Sequence, residues 1–388
     1  MGIRIFDRYI WRQIASSTLT GVMVLTGVMV LGNVFKEMER LLGDAARLPI
    51  LLVLQFVGYV IPYSLVFTIP WALLTAILLV FGRMSADNEM TALRMTGMSM
   101  PRICLPVFIL AGLMCGVCFF VNLELAPLTK NKIKRLFYDV ALDDPTMLFQ
   151  EGKVLDRFPG YRIYVAKRDG KQLEGVEIYQ TESGRSESYI RAKHAELEIT
   201  PGVTDFILLL RDGQVETWSS DTVSNTSASS SSSPDVINDL QPVFFQEMPI
   251  TFPLSKLQKK AEKVSNSMKT TEALWSEVNS GVSSVDQSQM NEKLISSSRT
   301  ELSMRYSFSL AAIVFVLVGV PLGITAQRRE TSIGFALSLM VAVSYIFFII
   351  FASTQAEKPS SFPHLLMWVP NIIFLAVGAR LFFKLCRR

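Results

Sequence analysis

Few residues in this chain are spaced for bond-breaking chemistry. The two histidines, His194 and His364, lie in different regions with no Cys or carboxylate cluster beside either, which argues against metal ligation and histidine-based catalysis. Cys115 and Cys118 have C-x-x-C spacing, but they sit in the apolar run ICLPVFILAGLMCGVCFF without a histidine or charged partner, so they read as small packing residues. Gly152-Lys153 and Gly170-Lys171 lack the upstream glycine of a phosphate-binding Gly-x-x-x-x-Gly-Lys-Ser/Thr loop. No catalytic, cofactor or metal site is therefore expected on this chain, and any nucleotide must be held by another polypeptide. What remains is recognition: one short amphipathic segment with acidic residues, and two basic clusters.

The segment is GRMSADNEMTALRMTGMSMPR. Ser85 suits an N-cap, Asp87 would fall in the first turn where the helix dipole favours negative charge, and Gly97 followed by Pro101 would end the helix. This predicts a helix within 85–97 of about 11 residues, roughly 16 Å long and too short to cross a bilayer. Met90 and Leu93 fall on one side, with Asp87, Glu89, Thr91 and Arg94 around the rest. Periodicity fits either a solvated loop helix or a docking helix with Glu89 as its charged contact. The basic clusters are Lys36 and Arg40 after the first apolar span, and Lys130, Lys132, Lys134 and Arg135 after the third. Their side chains either snorkel into water or meet phosphates and acidic sugars of a lipid head group, at about 1 kcal/mol per cation.

Half of the 388 residues are hydrophobic, concentrated in segments long enough to span about 30 Å of hydrocarbon, and these segments carry the residues above. Six spans are predicted near 14–35, 61–81, 103–121, 308–325, 333–351 and 365–383. The second apolar run starts near Ile50, so residues 50–60 are expected to extend it, with Pro62 and Pro70 able to kink it. The net charge of +4 would suggest nucleic acid in a soluble protein, but here the basic residues cluster at span ends, which excludes that reading. Arg4, Arg8 and Arg12, then Arg83, Arg94 and Arg102, then Arg328 and Arg329, then Lys384, Arg387 and Arg388 fall on one side if the spans alternate. That side is expected to be cytoplasmic, with both termini there and no cleavable leader. Residues 1–121 then form spans one to three, and 306–388 spans four to six.

Between them, residues 122–254 show short alternating runs such as RIYVAKRDG, GVEIYQTE and DFILLLRDGQVETWS, broken by Asp-Gly, Ser-Gly and Pro-Gly turn signals. An antiparallel β domain, sandwich or jelly roll, is predicted on the outer side, where in a bacterium it would be periplasmic. The domain contains no cysteine and must fold without disulfides. Residues 219–233 are rich in serine and read as a hairpin loop, while 255–305 read as a polar, partly helical linker back to the membrane.

Several motifs together carry a family resemblance. IPWALLTAILLVFGRMSADNEMTALRMTGMS, NLELAP, RYSFSLAAIVFVLVGVPLGITAQRRE and WVPNIIFLAVG resemble the LptF/LptG (YjgP/YjgQ) permeases of the lipopolysaccharide export ABC transporter. GYRIYVAKRDGKQLEGVEIYQ and LLLRDGQ extend the likeness, more weakly, into the β domain. The resemblance implies a six-span bacterial inner-membrane subunit with an inserted periplasmic jelly roll. It also implies a second LptF/LptG-type chain, a cytoplasmic ABC ATPase dimer that binds ATP and Mg, periplasmic bridge proteins similar to LptC and LptA, and lipopolysaccharide as cargo. By the same resemblance the helix after span two is a coupling helix, with Glu89 the coupling glutamate and Asp87, Met90, Leu93 and Arg94 around it. Spans one and five would border a lateral opening, where Gly21, Gly27 and Gly32 would permit close helix contact. A permease for another lipid or lipoprotein, and a membrane-anchored scaffold or sensor without transport, are the rival expectations.

Overall fold

The computed structural model describes residues 5–41, 50–143, 149, 151–155, 160–180, 187–199, 205–218, 242–253, 265–280, 288–325 and 331–387. The serine-rich run 219–233 lies outside them, as do residues 255–264 at the start of the expected linker. The described chain divides into two compact units, one formed by 1–34, 50–133 and 264–388, the other by 35–49 and 134–263.

The first unit is helical. Helices α1 (Ile5–Leu41), α2 (Ile50–Ala86), α3 (Glu89–Met95) and α4 (Met100–Phe120) are followed by a π turn (Val121–Leu125) and α5 (Ala126–Asp143). After the β strands come α6 (Thr271–Ser280), α7 (Ser288–Thr325), α8 (Thr331–Thr354), the short α9 (Pro363–Leu366) and α10 (Val369–Arg387). Among the described residues six helical segments are long and apolar enough to cross a membrane; five contain the expected spans whole and the fifth, Gly334–Thr354, takes in all but the first residue of its own. Residues 50–60 are the first turns of α2, as expected, and Pro62 and Pro70 lie inside it. The end of the expected linker is helical too: α7 starts at Ser288 and runs unbroken into the fourth span.

Small residues let α2 and α7 form the centre of the bundle. Gly319 and Gly323 are spaced i, i+4 on α7; a Cβ on Gly319 would meet Leu74 Cδ1 at 3.1 Å, and one on Gly323 would meet Phe81 Cβ at 3.1 Å. Close backbone approach of this kind is how helices gain packing energy where lipid removes the hydrophobic drive. Gly378 of α10 fits against Leu317 and Val318 in the same way. Polar side chains tie the remaining helices: Asn371 donates to the Ser307 carbonyl at 2.8 Å, and Tyr345 donates to Asn371 Oδ1 at 3.1 Å, all buried between α7, α8 and α10. By contrast Leu19, Met23, Val24, Val28, Leu31 and Phe35 of α1 are exposed, as are Phe335, Leu339, Met340, Val343 and Phe347 of α8.

The second unit contains an antiparallel sheet of six strands in sequence order, β1 (Val154–Leu155), β2 (Tyr161–Asp169), β3 (Gln172–Gln180), β4 (Glu187–Ile199), β5 (Asp205–Trp218) and β6 (Val243–Pro253). One face holds an apolar core that includes Phe149, Ile163, Val176, Ile190, Leu208 and Phe252. The inserted β domain expected from the alternating runs is present, as a meander.

Its alternation breaks along one line. Val165, Val176, Ala192, Gly213 and Phe245 pair across the strands in one row, and Arg168, Leu173, Ala195, Leu210 and Met248 pair in another. In a flat strand the inward positions recur every second residue. Here the step from one row to the next is three residues in β2 to β6, and Ala166, Gly175, Lys193, Asp212 and Gln246 drop out of the ladders between them. Gly175 and Asp212 adopt positive φ of 64° and 52° on this line. The result is a crease in the alternation shared by five strands: the antiparallel register runs unbroken through it, and the same face stays inward on both sides.

Candidate functional site

The segment after α2 departs from its sequence expectation in where the helix begins. Ser85 does not cap it: α2 continues through Ala86, and the Ser85 hydroxyl donates instead to the Ile324 carbonyl at 2.8 Å. The chain turns at Asp87 and Asn88, the latter left-handed at φ 58°, and α3 spans Glu89–Met95. Asn residues tolerate this conformation through their short polar side chain. Asp87 therefore lies in the turn before the helix, and Glu89 takes the first-turn position beside the helix dipole. The C-terminus is as expected: Gly97 has φ 84° and donates its N–H to the Arg94 carbonyl at 2.9 Å.

Burial also redistributes the roles within α3. Met90 is 3% exposed within the bundle core and Leu93 packs against that core, so these two hold the helix to its own chain instead of facing outward. The outward residues are Asp87, Thr91, Ala92, Arg94 and Met95, with Glu89 half-buried at the margin. Met95 is 86% exposed, an apolar side chain that sequence reasoning passed over because it falls off the Met90–Leu93 stripe. The Tyr9 hydroxyl lies 3.5 Å from Glu89 Oε2, and Arg102 pairs with Asp7 at 2.7 Å, which fixes the start of α4 against α1. The arrangement is a rigid ledge: a helix anchored on one side, with mixed charge and one exposed methionine on the other.

The basic residues at the opposite end of the bundle are more engaged than their charge suggests. Lys130 Nζ sits over the Tyr63 ring at 4.8 Å, and Lys132 Nζ over the Tyr59 ring at 5.7 Å, both cation–π contacts onto α2. A small cavity of about 40 Å³ is lined by Tyr63, Asn122, Lys130, Glu301 and Arg305 among others. Lys134 is half-buried, and Arg135 and Lys36 are exposed; the Arg40 side chain lies outside the described residues.

Around that cavity runs a polar network that spacing could not reveal. Arg305, with a side chain 5% exposed, bonds Glu301 one turn back and reaches the Asn266 and Lys269 carbonyls and the Thr271 hydroxyl. Asn122 donates to Ser309 at 2.8 Å. Tyr59 and Tyr63 are equally absent from the sequence reading, because their partners Lys132 and Lys130 are distant in the chain, and Glu301, one turn from Arg305, was passed over as part of a polar linker. The proposed glycines divide: Gly21 meets α2, where a Cβ would lie 3.1 Å from Ala72 Cβ, whereas nothing approaches Gly27 or Gly32 within 4 Å. Among the described residues no cluster of His, Cys, Asp or Glu has the makings of a metal site.

Two comparisons with known proteins bear on this arrangement. No curated protein matches the chain. The model of the lipopolysaccharide export system permease LptF/LptG covers residues 8–384, which takes in both halves of the bundle, α3 and the creased sheet, and the chain belongs to that family.

Proposed function

We propose that this chain is a transmembrane subunit of an ABC transporter that extracts lipopolysaccharide from the bacterial inner membrane and hands it to a periplasmic bridge. The observation that carries the reading is the seat of α3 within a family of lipopolysaccharide export permeases. Met90 and Leu93 fix the helix to α2 and the bundle, so a push on its outer face moves the bundle instead of deforming a loop. Glu89, Arg94 and Met95 form the face offered to a cytoplasmic ATPase, which binds ATP and Mg; this chain supplies no nucleotide chemistry. A second permease chain of the same family covers the exposed faces of α1 and α8. Lys36, Arg40, Lys130, Lys132, Lys134 and Arg135 meet the phosphates and acidic sugars of the lipid. The creased apolar face of the sheet receives the acyl chains, and LptC- and LptA-like proteins continue the path.

The test is to co-purify the full chain with candidate ATPases and a second permease chain, and to compare lipopolysaccharide-stimulated ATP hydrolysis for wild type and Glu89→Ala. The expected result is retained assembly with stimulation reduced at least tenfold. Failure to associate with any ATPase would leave a scaffold or sensor as the better account. Stimulation by a different lipid or a lipoprotein, without response to lipopolysaccharide, would reassign the cargo.

A further inference from the structure

Between the fifth and sixth spans the chain turns a corner on a residue unsuited to it. A 3-10 turn (Pro359–Ser361) ends at Phe362, which is left-handed at φ 44° and ψ 54°, and α9 begins at Pro363. Positive φ strains a bulky residue, and a following proline crowds the backbone before it further, whereas glycine adopts these angles freely. The backbone alone makes the corner: the Phe362 N–H donates to the Pro359 carbonyl at 3.2 Å, and the Phe362 carbonyl accepts from Leu365 and Leu366 at 2.9 and 3.3 Å. The Phe362 side chain is 59% exposed, with its ring centroid 6.2 Å from that of His364. Leu365, one turn on, is 59% exposed as well. Pro363 and Met367 are buried instead, and the Met367 carbonyl accepts from the Ser307 hydroxyl at 2.6 Å, which fixes the inner side of the corner to α7. Nothing in these contacts requires a phenyl ring at position 362.

We propose that Phe362 and Leu365 are an interfacial anchor, inserted at the boundary between head groups and acyl chains of the leaflet away from α3, where burial in lipid offsets the backbone strain. Position identifies the occupant. Helix α8 has Gly334 against Leu78 and Leu79, near the α3 end of α2, and it ends at Thr354; the sixth span starts at Pro363. The corner therefore sits where two helices that cross the bilayer leave the hydrocarbon. It is followed along α10 by the exposed Ile372, Leu375 and Phe383, which continue an apolar surface into the membrane. Lys358, also exposed, precedes Phe362 by four residues and stays in water. Such an anchor fixes the depth of spans five and six. It rests on the membrane-crossing helices alone, and neither cargo nor ATPase enters it.

The test uses the full chain in nanodiscs of phosphatidylethanolamine and phosphatidylglycerol, with Cys104, Cys115, Cys118 and Cys386 changed to Ala and one spin label per variant. Labels at Phe362→Cys and Leu365→Cys should collide more with oxygen, which concentrates in lipid, than with a water-soluble nickel chelate, as a label at Ile372→Cys does. A label at Lys358→Cys should show the reverse. In Phe362→Gly and Phe362→Ala, the label at Leu365→Cys should become several-fold more accessible to the nickel chelate. In detergent Phe362→Gly should melt higher than Phe362→Ala, since both lack the ring and only alanine keeps the strain. Labels at 362 and 365 as open to nickel as the one at 358 would overturn the anchor. Protection from both reagents would overturn it too, because a protein surface would then cover the corner. Equal melting of the glycine and alanine variants would overturn the strain that the lipid is said to offset.

Discussion

Two methionines five residues apart show how far residue type underdetermines role. Met90 and Met95 are chemically identical and both belong to α3, yet one is 3% and the other 86% exposed. Met90→Asp places a carboxylate in an apolar core and should destabilise the chain by about 3 kcal/mol or more, seen as loss of the monodisperse species on heating in detergent. Met95→Asp should leave that melting unchanged and weaken association with the ATPase at least tenfold, as measured by titration binding. Equal effects of the two would argue against the ledge as a docking surface. At this scale the sequence was a partial guide. Gly97 could be placed from type and spacing, but Ser85 looks like an N-cap only until its hydroxyl finds the Ile324 carbonyl, a partner 239 residues away. The same holds for Gly213, where a Cβ would lie 2.3 Å from Phe245 Cζ and 2.5 Å from the Arg191 carbonyl. Gly213→Val should therefore cost about 1–3 kcal/mol, with part of the loss recovered by adding Phe245→Leu, followed by thermal unfolding of the full chain.

At the scale of elements, the helices were legible because lipid demands long uninterrupted apolar runs, and that demand leaves a strong trace in composition. Which helices are central was less so. In the apolar windows of α2 and α7, 67% and 72% of residues are buried, against 17% in that of α1, though all three runs read alike by hydropathy. The distinguishing mark is GVPLG, where Gly319 and Gly323 bring α7 against Leu74, Ile77 and Phe81. Gly323→Leu is expected to push these helices apart at a cost of about 1–3 kcal/mol and to lower the thermal midpoint in detergent, while Gly27→Leu, which meets nothing within 4 Å, should not. The reverse order of sensitivity would contradict this packing. The Arg305 network was hidden for another reason: hydrogen bonds to backbone carbonyls impose no residue type on their acceptors, so Asn266 and Lys269 carry no signature of the contact.

For the molecule as a whole, the basic residues at span ends predict a direction that can be checked directly. A fluorescent protein fused after Arg388 should mature and fluoresce in cells, and alkaline phosphatase inserted in the serine-rich run 219–233 should be active. The opposite pattern would reverse the orientation and with it the role given to α3. The division into a helical unit and a sheet unit was readable from the shift between long apolar runs and short alternating ones, but the crease was not, since a strand that breaks its alternation looks like two weak strands when read alone. Only the pairing of five strands shows that the breaks coincide. That coincidence behaves like a reading frame. Each strand changes frame once, at the same row, so the inward set remains in phase from strand to strand on both sides of it. Deleting Asp212 alone would restore simple alternation in β5 and turn one half of that strand inside out relative to its neighbours. Insertions and deletions are tolerable at the hairpin ends, but along this row they must occur in all five strands or in none.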